Sequence, residues 1–371
     1  MRGTSQPQPD FLTVVNLNAV VPVNHPLRAI KRRVDAVLKK LSPLLDQLYA
    51  GEGRASIPPE QLLKARILCA LYTVRSERLF CEPLSYNLLW LWFLDREFSP
   101  GRFDHSIFAK NYQRVLSADV AKLFFAEVYD LSRQEGWTSD THFTADGPLI
   151  EAWASLKSVV RKDGGDEKKV RDATDDDPGN PTIQFHGEKR CNDTHRSTTD
   201  GQSVLYKKAA GKEARLYFGG HVLMENRHGL CADFALHNPI AQGEPVMALQ
   251  QLDEHVLRHE GVCPKTAGAD KNYHQKVFVA GCRERGVSPH VSCKDGVRVA
   301  GLDKRTTGSP GCQISLRIRK RIEEIFGWIT TVGGFRRTRY LGIERTQAAA
   351  YFMAGAYNLL RMARLEAVSA G

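Results

Sequence analysis

Apolar residues recur at three- and four-residue steps from about Pro26 to Arg133, which predicts helices throughout that stretch. Pro26 suits a first helical position, and Ile30, Val34, Val37, Leu38, Leu41 and Leu45 then mark one face. Pro58 and Pro59 open a second helix, with Leu62, Leu63, Ile67, Leu68 and Leu71 on one side. "YNLLWLWFL" predicts a third, and "AKLFFAEVYDLSRQEG" another that stops at Gly136 as its C-cap. Between these two, Asp104 or Ser106 caps a short helix with Phe108, Tyr112 and Val115 inward and Lys110, Asn111 and Arg114 outward. That segment reads either as the recognition end of a helix-turn-helix or as a charged surface helix of a bundle.

After Trp137 the pattern changes. "THFTADGPLI" predicts a strand, "LYFGGHVLMEN" and "GLCADFALHNP" two more joined by a turn at Asn226 to Gly229, and "EPVMALQQLDEHVLRH" a helix. "PKTAGAD" then leads to a strand end, "YHQKVFVAGCRERG" to a helix stopped by Gly286, and "SPHVS" to a short strand. Strands followed by helices indicate an α/β fold with a mixed sheet. The expected division is a helical part over 1–139 and the sheet over 140–371. Residues 157–203 interrupt the second part with "RKDGGDEKK" and "DATDDDPGNP", an extended charged insertion that is either a solvated loop or a segment that tracks DNA.

At 371 residues, with 42% apolar and 25% charged positions, the chain has the balance of a soluble globular protein able to bury a core. The apolar runs Leu88 to Leu94 and Ala348 to Leu360 fall short of the ~18 residues a membrane span requires, so no membrane segment is expected. A net charge of +10 points to a polyanionic partner, most simply nucleic acid, although a basic surface also serves solubility or ribosome association. The eight cysteines form no C-x-x-C pair and no zinc-like cluster, which predicts reduced, mostly buried thiols. Together with the lack of a secretory signal pattern, this places the chain in the cytoplasm.

Three acidic residues sit where strands end or helices begin: Asp146 in "HFTADGPLIEAWAS", Asp270 in "TAGADKNYHQKVFVAGC" and Glu323 in "RIRKRIEEIFGWIT". Converging carboxylates suit hard divalent cations, which prefer oxygen ligands. Each residue also has a plainer explanation: a turn for Asp146 before Gly147, a helix N-cap for Asp270, and a surface ion pair with Arg319 or Lys320 for Glu323. Ile318, Ile322, Ile325, Phe326 and Ile329 form a helical stripe, which Glu323 flanks and from which Glu324 points away. Around it, Arg317, Arg319, Lys320, Arg321, Arg336, Arg337, Arg339 and Arg345 concentrate positive charge of the kind phosphates attract. The glycine-hinged "TVGGFRRTRY" can bring backbone and guanidinium groups close to a phosphate. Trp328, Phe335 and Tyr340 are candidates for stacking on bases, with core packing favoured for the first two.

Taken together, "DGPLIEAWAS", "NDTHRSTTD", "KEARLYFGGHVLMENRHGL", "GADKNY", "RIEEIFGWITTVGGFRRTRYLG" and "AAYFMAGAYNLLRMARL" resemble bacterial insertion-sequence transposases of the DDE type, in the superfamily named after insertion sequence five. The resemblance covers nearly the whole chain. It implies a ribonuclease-H-like mixed sheet flanked by helices, a helical N-terminal DNA-binding part, and Asp146, Asp270 and Glu323 as the metal-binding catalytic triad. It also implies two Mg²⁺ ions, replaceable by Mn²⁺, and a homodimer on double-stranded DNA comprising element ends and target within the nucleoid. Lys110, Arg114, Arg319, Lys320, Arg336, Arg337 and Arg339 are the implied DNA contacts. Relatives carry R-x-x-x-E-x-x-x-x-x-x-K at the last block; Arg319 and Glu323 match it, Thr330 replaces the lysine, and Leu316 stands where a tyrosine is frequent. That departure keeps two alternatives open, a metal-dependent nuclease without strand transfer and an inactive copy that only binds DNA.

Overall fold

The computed structural model describes residues 16–50, 52, 56–97, 103–163, 190–207, 213–240 and 243–369. Its strands are β1 His142–Asp146, β2 Leu149–Glu151, β3 Val159–Arg161, β4 His195–Ser197, β5 Val204–Tyr206, β6 Arg215–Glu225, β7 Cys231–His237, β8 Thr266–Ala269 and β9 Ser288–Val291. The main sheet runs β7-β6-β1-β8-β9, with β1, β8 and β9 parallel and β6 antiparallel to both neighbours. Val222 of β6 pairs with Asp146 on one side and Phe234 on the other, so β1 and β7 flank opposite edges of that long strand. β2 and β5 extend the two edges at the start of β6. The predicted strand "THFTADGPLI" is therefore two strands, broken where Pro148 carries no N–H to donate.

The predicted helices form at Pro26–Gln47, Pro59–Leu71, Leu88–Phe93, Ala118–Gln134, Glu244–Arg258 and Lys276–Glu284. Gly136 and Gly286 take the left-handed conformation that ends a helix, at φ +76° and +70°. A last helix, Ile343–Ser369, is apolar nearly all round and packs on three N-terminal helices and on β7. Its Asn358 accepts from the Cys231 N–H and donates to the Cys231 carbonyl, both at 2.8 Å. Gln347 does the same for the Leu236 N–H and the Phe234 carbonyl, at 2.6 and 2.7 Å. Two side-chain amides thus satisfy backbone groups that an edge strand leaves open. One core runs continuously from Leu27 and Leu62 through Phe124 and Phe352 to Phe143 and Phe278. The boundary near residue 139 separates types of secondary structure, not separate cores.

Two expectations change. The helix after Asp104 is only Ser106–Lys110; Asn111 is buried, and the Arg114 guanidinium lies 4.1 Å from the Tyr49 ring centre. Neither side chain is turned outward, which leaves Lys110 as the exposed cation there. The ends of the charged insertion fold into an antiparallel β3–β4 pair over a small core of Ala152, Ala154, Val159, Leu216 and Phe218, while its middle, 164–189, lies outside the described residues. All eight cysteines are free thiols, and Cys69, Cys231, Cys282 and Cys312 are buried. Among the described residues no helix is long and apolar enough to cross a membrane.

Candidate catalytic site

Asp146 is the last residue of β1 and Asp270 follows β8, its parallel neighbour, so both carboxylates leave the same end of the sheet. Asp146 Oδ1 accepts from the Gly147 N–H at 2.8 Å, and a Cβ on Gly147 would lie 2.2 Å from the Gly220 carbonyl oxygen. Only glycine lets the chain turn that closely against β6. Asp270 caps the short turn Lys271–Tyr273, its Oδ1 accepting from the Asn272 N–H at 2.7 Å. The turn and the N-cap anticipated for these two residues are thus both present, and in each case the bond engages Oδ1.

The third acid arrives on the helical stretch Pro310–Ile318, Arg319–Arg321 and Ile322–Thr331, whose middle segment is a tighter 3₁₀ turn. Ile322, Ile325 and Ile329 are buried, whereas Ile318, before the tight turn, is only half-buried. Arg319 donates to Asp146 Oδ2 at 3.2 Å. Glu323 stands one helical turn further on and is exposed. Glu324 is instead paired with Arg361 at 3.8 Å on the terminal helix. Arg319, expected on DNA, is held by a carboxylate of the site.

Electrostatics tie the three acids together. Burial pushes the Asp146 carboxyl up to about 6; the Gly147 N–H and Arg319 pull it down, while the negative charges of Asp270 and Glu323 push it further up. A fourth acid, missed in the sequence, joins them: Glu244, in the first turn of the helix after β7, is raised by burial and then by Asp146 and Asp270. Four carboxylates within electrostatic range, two of them desolvated, form a strongly anionic cleft. Among the described residues, no three His, Cys, Asp or Glu side chains are close enough as they stand to grip one ion.

Behind the cleft lies a buried polar chain. The Tyr273 hydroxyl donates to His221 Nε2 at 2.5 Å, and His221 Nδ1–H donates to Gln251 Oε1 at 2.9 Å. Gln251 in turn donates to the His221 carbonyl and to Asp233 at 3.0 and 2.8 Å. Burial pushes His221 down to about 4, so the neutral ring assumed in this assignment is the stable one. This chain buttresses the turn that carries Asp270. A lone histidine inside the otherwise apolar, fully buried run of β6 was its only trace in the sequence.

Two models of known protein families match the chain: a transposase domain (DUF772) over residues 15–114 and a transposase DDE domain over residues 185–359. The chain belongs to the DDE transposases. Asp270 and Glu323 fall inside the second match, and Asp146 precedes it. No curated protein matches this transposase. A cryo-EM structure of piggyBac transposase in a synaptic complex with hairpin DNA aligns with 94% of this chain and 76% of that one, at 9% identity and a TM-score of 0.43.

The transposase's basic residues divide by environment. Lys320 and Arg336 are exposed, whereas Arg339 bonds to the Arg75 carbonyl, to Glu77 and to the Tyr340 hydroxyl. Arg337 bridges to the Ala152 and Trp153 carbonyls at 3.2 and 2.7 Å. Trp328 packs on Tyr357 and Phe335 is buried, the core roles expected for both. Thr330 bonds back to the Phe326 carbonyl at 2.7 Å and offers no charge.

Proposed function

We propose that this transposase cleaves phosphodiesters at the ends of its insertion sequence and joins the freed 3′ ends to target DNA. The observation that carries the proposal is that Asp146 and Asp270, 124 positions apart, leave neighbouring parallel strands at the same end and that Glu323, 53 positions further on, lies within electrostatic range of Asp146, with Arg319 bonded to Asp146 and one turn from Glu323. The sheet order, in which the third, second and first main strands are followed by the fourth and fifth with the second antiparallel, supports a ribonuclease-H-like fold. The donor set is all carboxylate oxygen, which fits Mg²⁺ or Mn²⁺. Two such ions, when bound, would supply Lewis-acid stabilisation of the attacking and leaving oxygens.

The chain's own residues do the rest. Asp146 and Asp270 project from rigid strand ends, each with Oδ1 held by a backbone N–H, so their carboxylates are oriented in advance. Glu323 has the exposed, longer side chain and completes the set by swinging inward from its helix. Arg319 offsets the charge of Asp146 and keeps a guanidinium beside the acids, where it would be available to a DNA phosphate. Lys320, Arg336 and Lys110 supply exposed positive charge for the DNA backbone. Two DNA ends handled in one reaction imply a homodimer on nucleoid DNA in the cytoplasm.

The test is Mg²⁺-dependent nicking and strand transfer on duplexes carrying the element's ends. Asp146→Asn and Asp270→Asn are expected to abolish both while retaining DNA binding; cleavage by either variant refutes the assignment. Thr330 favours a second reading, in which this copy binds ends without joining them. Precleaved ends separate the two: joining of such ends rejects the second, and nicking without joining indicates a nuclease.

A further inference from the structure

The backbone ladder between β1 and β8 stops at Thr144 and Gly268, before it reaches Asp146 and Asp270. Asp146 keeps a backbone partner on its other side, Val222 of β6, but β8 does not neighbour β6. Side chains must therefore set the spacing of the two acids. His221 adjoins Val222 on β6 and is fully buried. Its Cδ2 packs beside Gly147, where a Cβ would stand 3.4 Å away, and the adjoining Nε2 accepts from the hydroxyl of Tyr273, the last residue of the turn that Asp270 caps. Two neighbouring ring atoms thus meet the two turns that carry the aspartates. The other nitrogen is held by Gln251: Nδ1–H donates to its side-chain oxygen at 2.9 Å, and the same amide donates back to the His221 carbonyl at 3.0 Å. One amide clamps both ring and backbone, which fixes the tautomer in which Nε2 accepts. Gln251 itself stands about two turns along the helix whose first turn bears Glu244.

We infer that His221 is a positioning residue for cleavage, setting the separation of Asp146 and Asp270 and through it the affinity of the site for divalent cations. The inference rests on the metal-dependent function proposed above. Mg²⁺ demands near-ideal octahedral geometry with oxygens at about 2.0–2.1 Å, so a small displacement between two carboxylates costs affinity. A buried imidazole suits that task because its ring is rigid and both nitrogens are bonded, so any rotation leaves polar groups unsatisfied. A plain core role would account for the burial. It would not account for a single ring that touches the residue after one aspartate and the end of the turn capped by the other.

The full chain is titrated with Mn²⁺, with and without a duplex, and the free ion is counted from its paramagnetic resonance. DNA affinity in chelator and the unfolding midpoint are measured on the same proteins. Tyr273→Phe keeps the ring and removes only the hydroxyl; it is expected to weaken Mn²⁺ binding about tenfold, the low end for residues that support metal ligands, with DNA affinity in chelator unchanged. His221→Gln, whose amide oxygen reaches toward the place of Nε2, is expected to keep more Mn²⁺ affinity than His221→Asn, which reaches only toward that of Nδ1. A Tyr273→Phe protein with a lowered unfolding midpoint but wild-type Mn²⁺ affinity overturns the positioning role and leaves the proposed function standing. Equal Mn²⁺ affinity in folded His221→Gln and His221→Asn also overturns it, and no Mn²⁺ uptake by the wild type under either condition overturns both.

Discussion

Replacing Asp146 by Asn is expected to make the protein more stable while removing its activity. The folded carboxyl sits at about 6 against an ordinary 3.8, because burial and two neighbouring acids oppose its charge. At about 1.4 kcal/mol per pH unit, that difference is worth roughly 3 kcal/mol of destabilisation in the charged form. The Arg319 contact is already included in that pKa, and an amide oxygen still accepts from the Gly147 N–H. With the side chain 22% exposed, relaxation and water reduce the gain, so about 1–3 kcal/mol is expected for Asp146→Asn at neutral pH. The sign follows from linkage: between pH 4 and 6 the folded state keeps a proton that the unfolded chain has lost, so wild-type stability falls as pH rises through that window. Denaturant unfolding of both proteins in chelator, at several pH values, measures it. The stability difference should be near zero below about pH 4 and fully developed above about pH 6. A variant less stable than wild type at pH 7.5, or a difference independent of pH, would refute the view that Asp146 is held charged against its surroundings by the site.

Glu323→Gln should reduce Mg²⁺-dependent nicking by more than about a hundredfold, beyond the 10–100-fold typical of residues that only support metal ligands. Glu324→Gln, which loses only a surface pair with Arg361, should leave nicking intact; equal loss in both would reject the choice of Glu323. Gly147→Ala forces a Cβ to within 2.2 Å of a backbone oxygen of β6 and should destabilise by about 1–3 kcal/mol, read as a lowered denaturant midpoint. Arg336→Ala should weaken DNA binding and lower the salt slope by about one, whereas Arg339→Ala, which breaks its bond to Glu77, should mainly lower stability. Gel-shift titrations at several salt concentrations, alongside melting curves, distinguish them.

The sequence by itself determined most of the elements and singled out the three acids proposed for the site. Periods of 3.6 and 2, glycines with positive φ and prolines at helix starts are local signals, because backbone geometry acts over a few residues. That is why the helices at Pro26 and Glu244, the turn at Asn226 to Gly229 and the strand ends bearing Asp146 and Asp270 were legible. Helical geometry then pointed to Glu323 over Glu324, and the count of arginines and lysines from 317 to 345 to a basic rim. Only tertiary structure decided which of those charges are free. Arg114 folds onto Tyr49, Arg319 onto Asp146 and Arg339 onto Glu77, pairings set by neighbours more than sixty positions away. Glu244 and the Tyr273–His221–Gln251 chain were out of reach for the same reason. A side chain's charge state and direction depend on burial and on partners brought by packing, and these are properties of the assembled core, which local sequence does not encode.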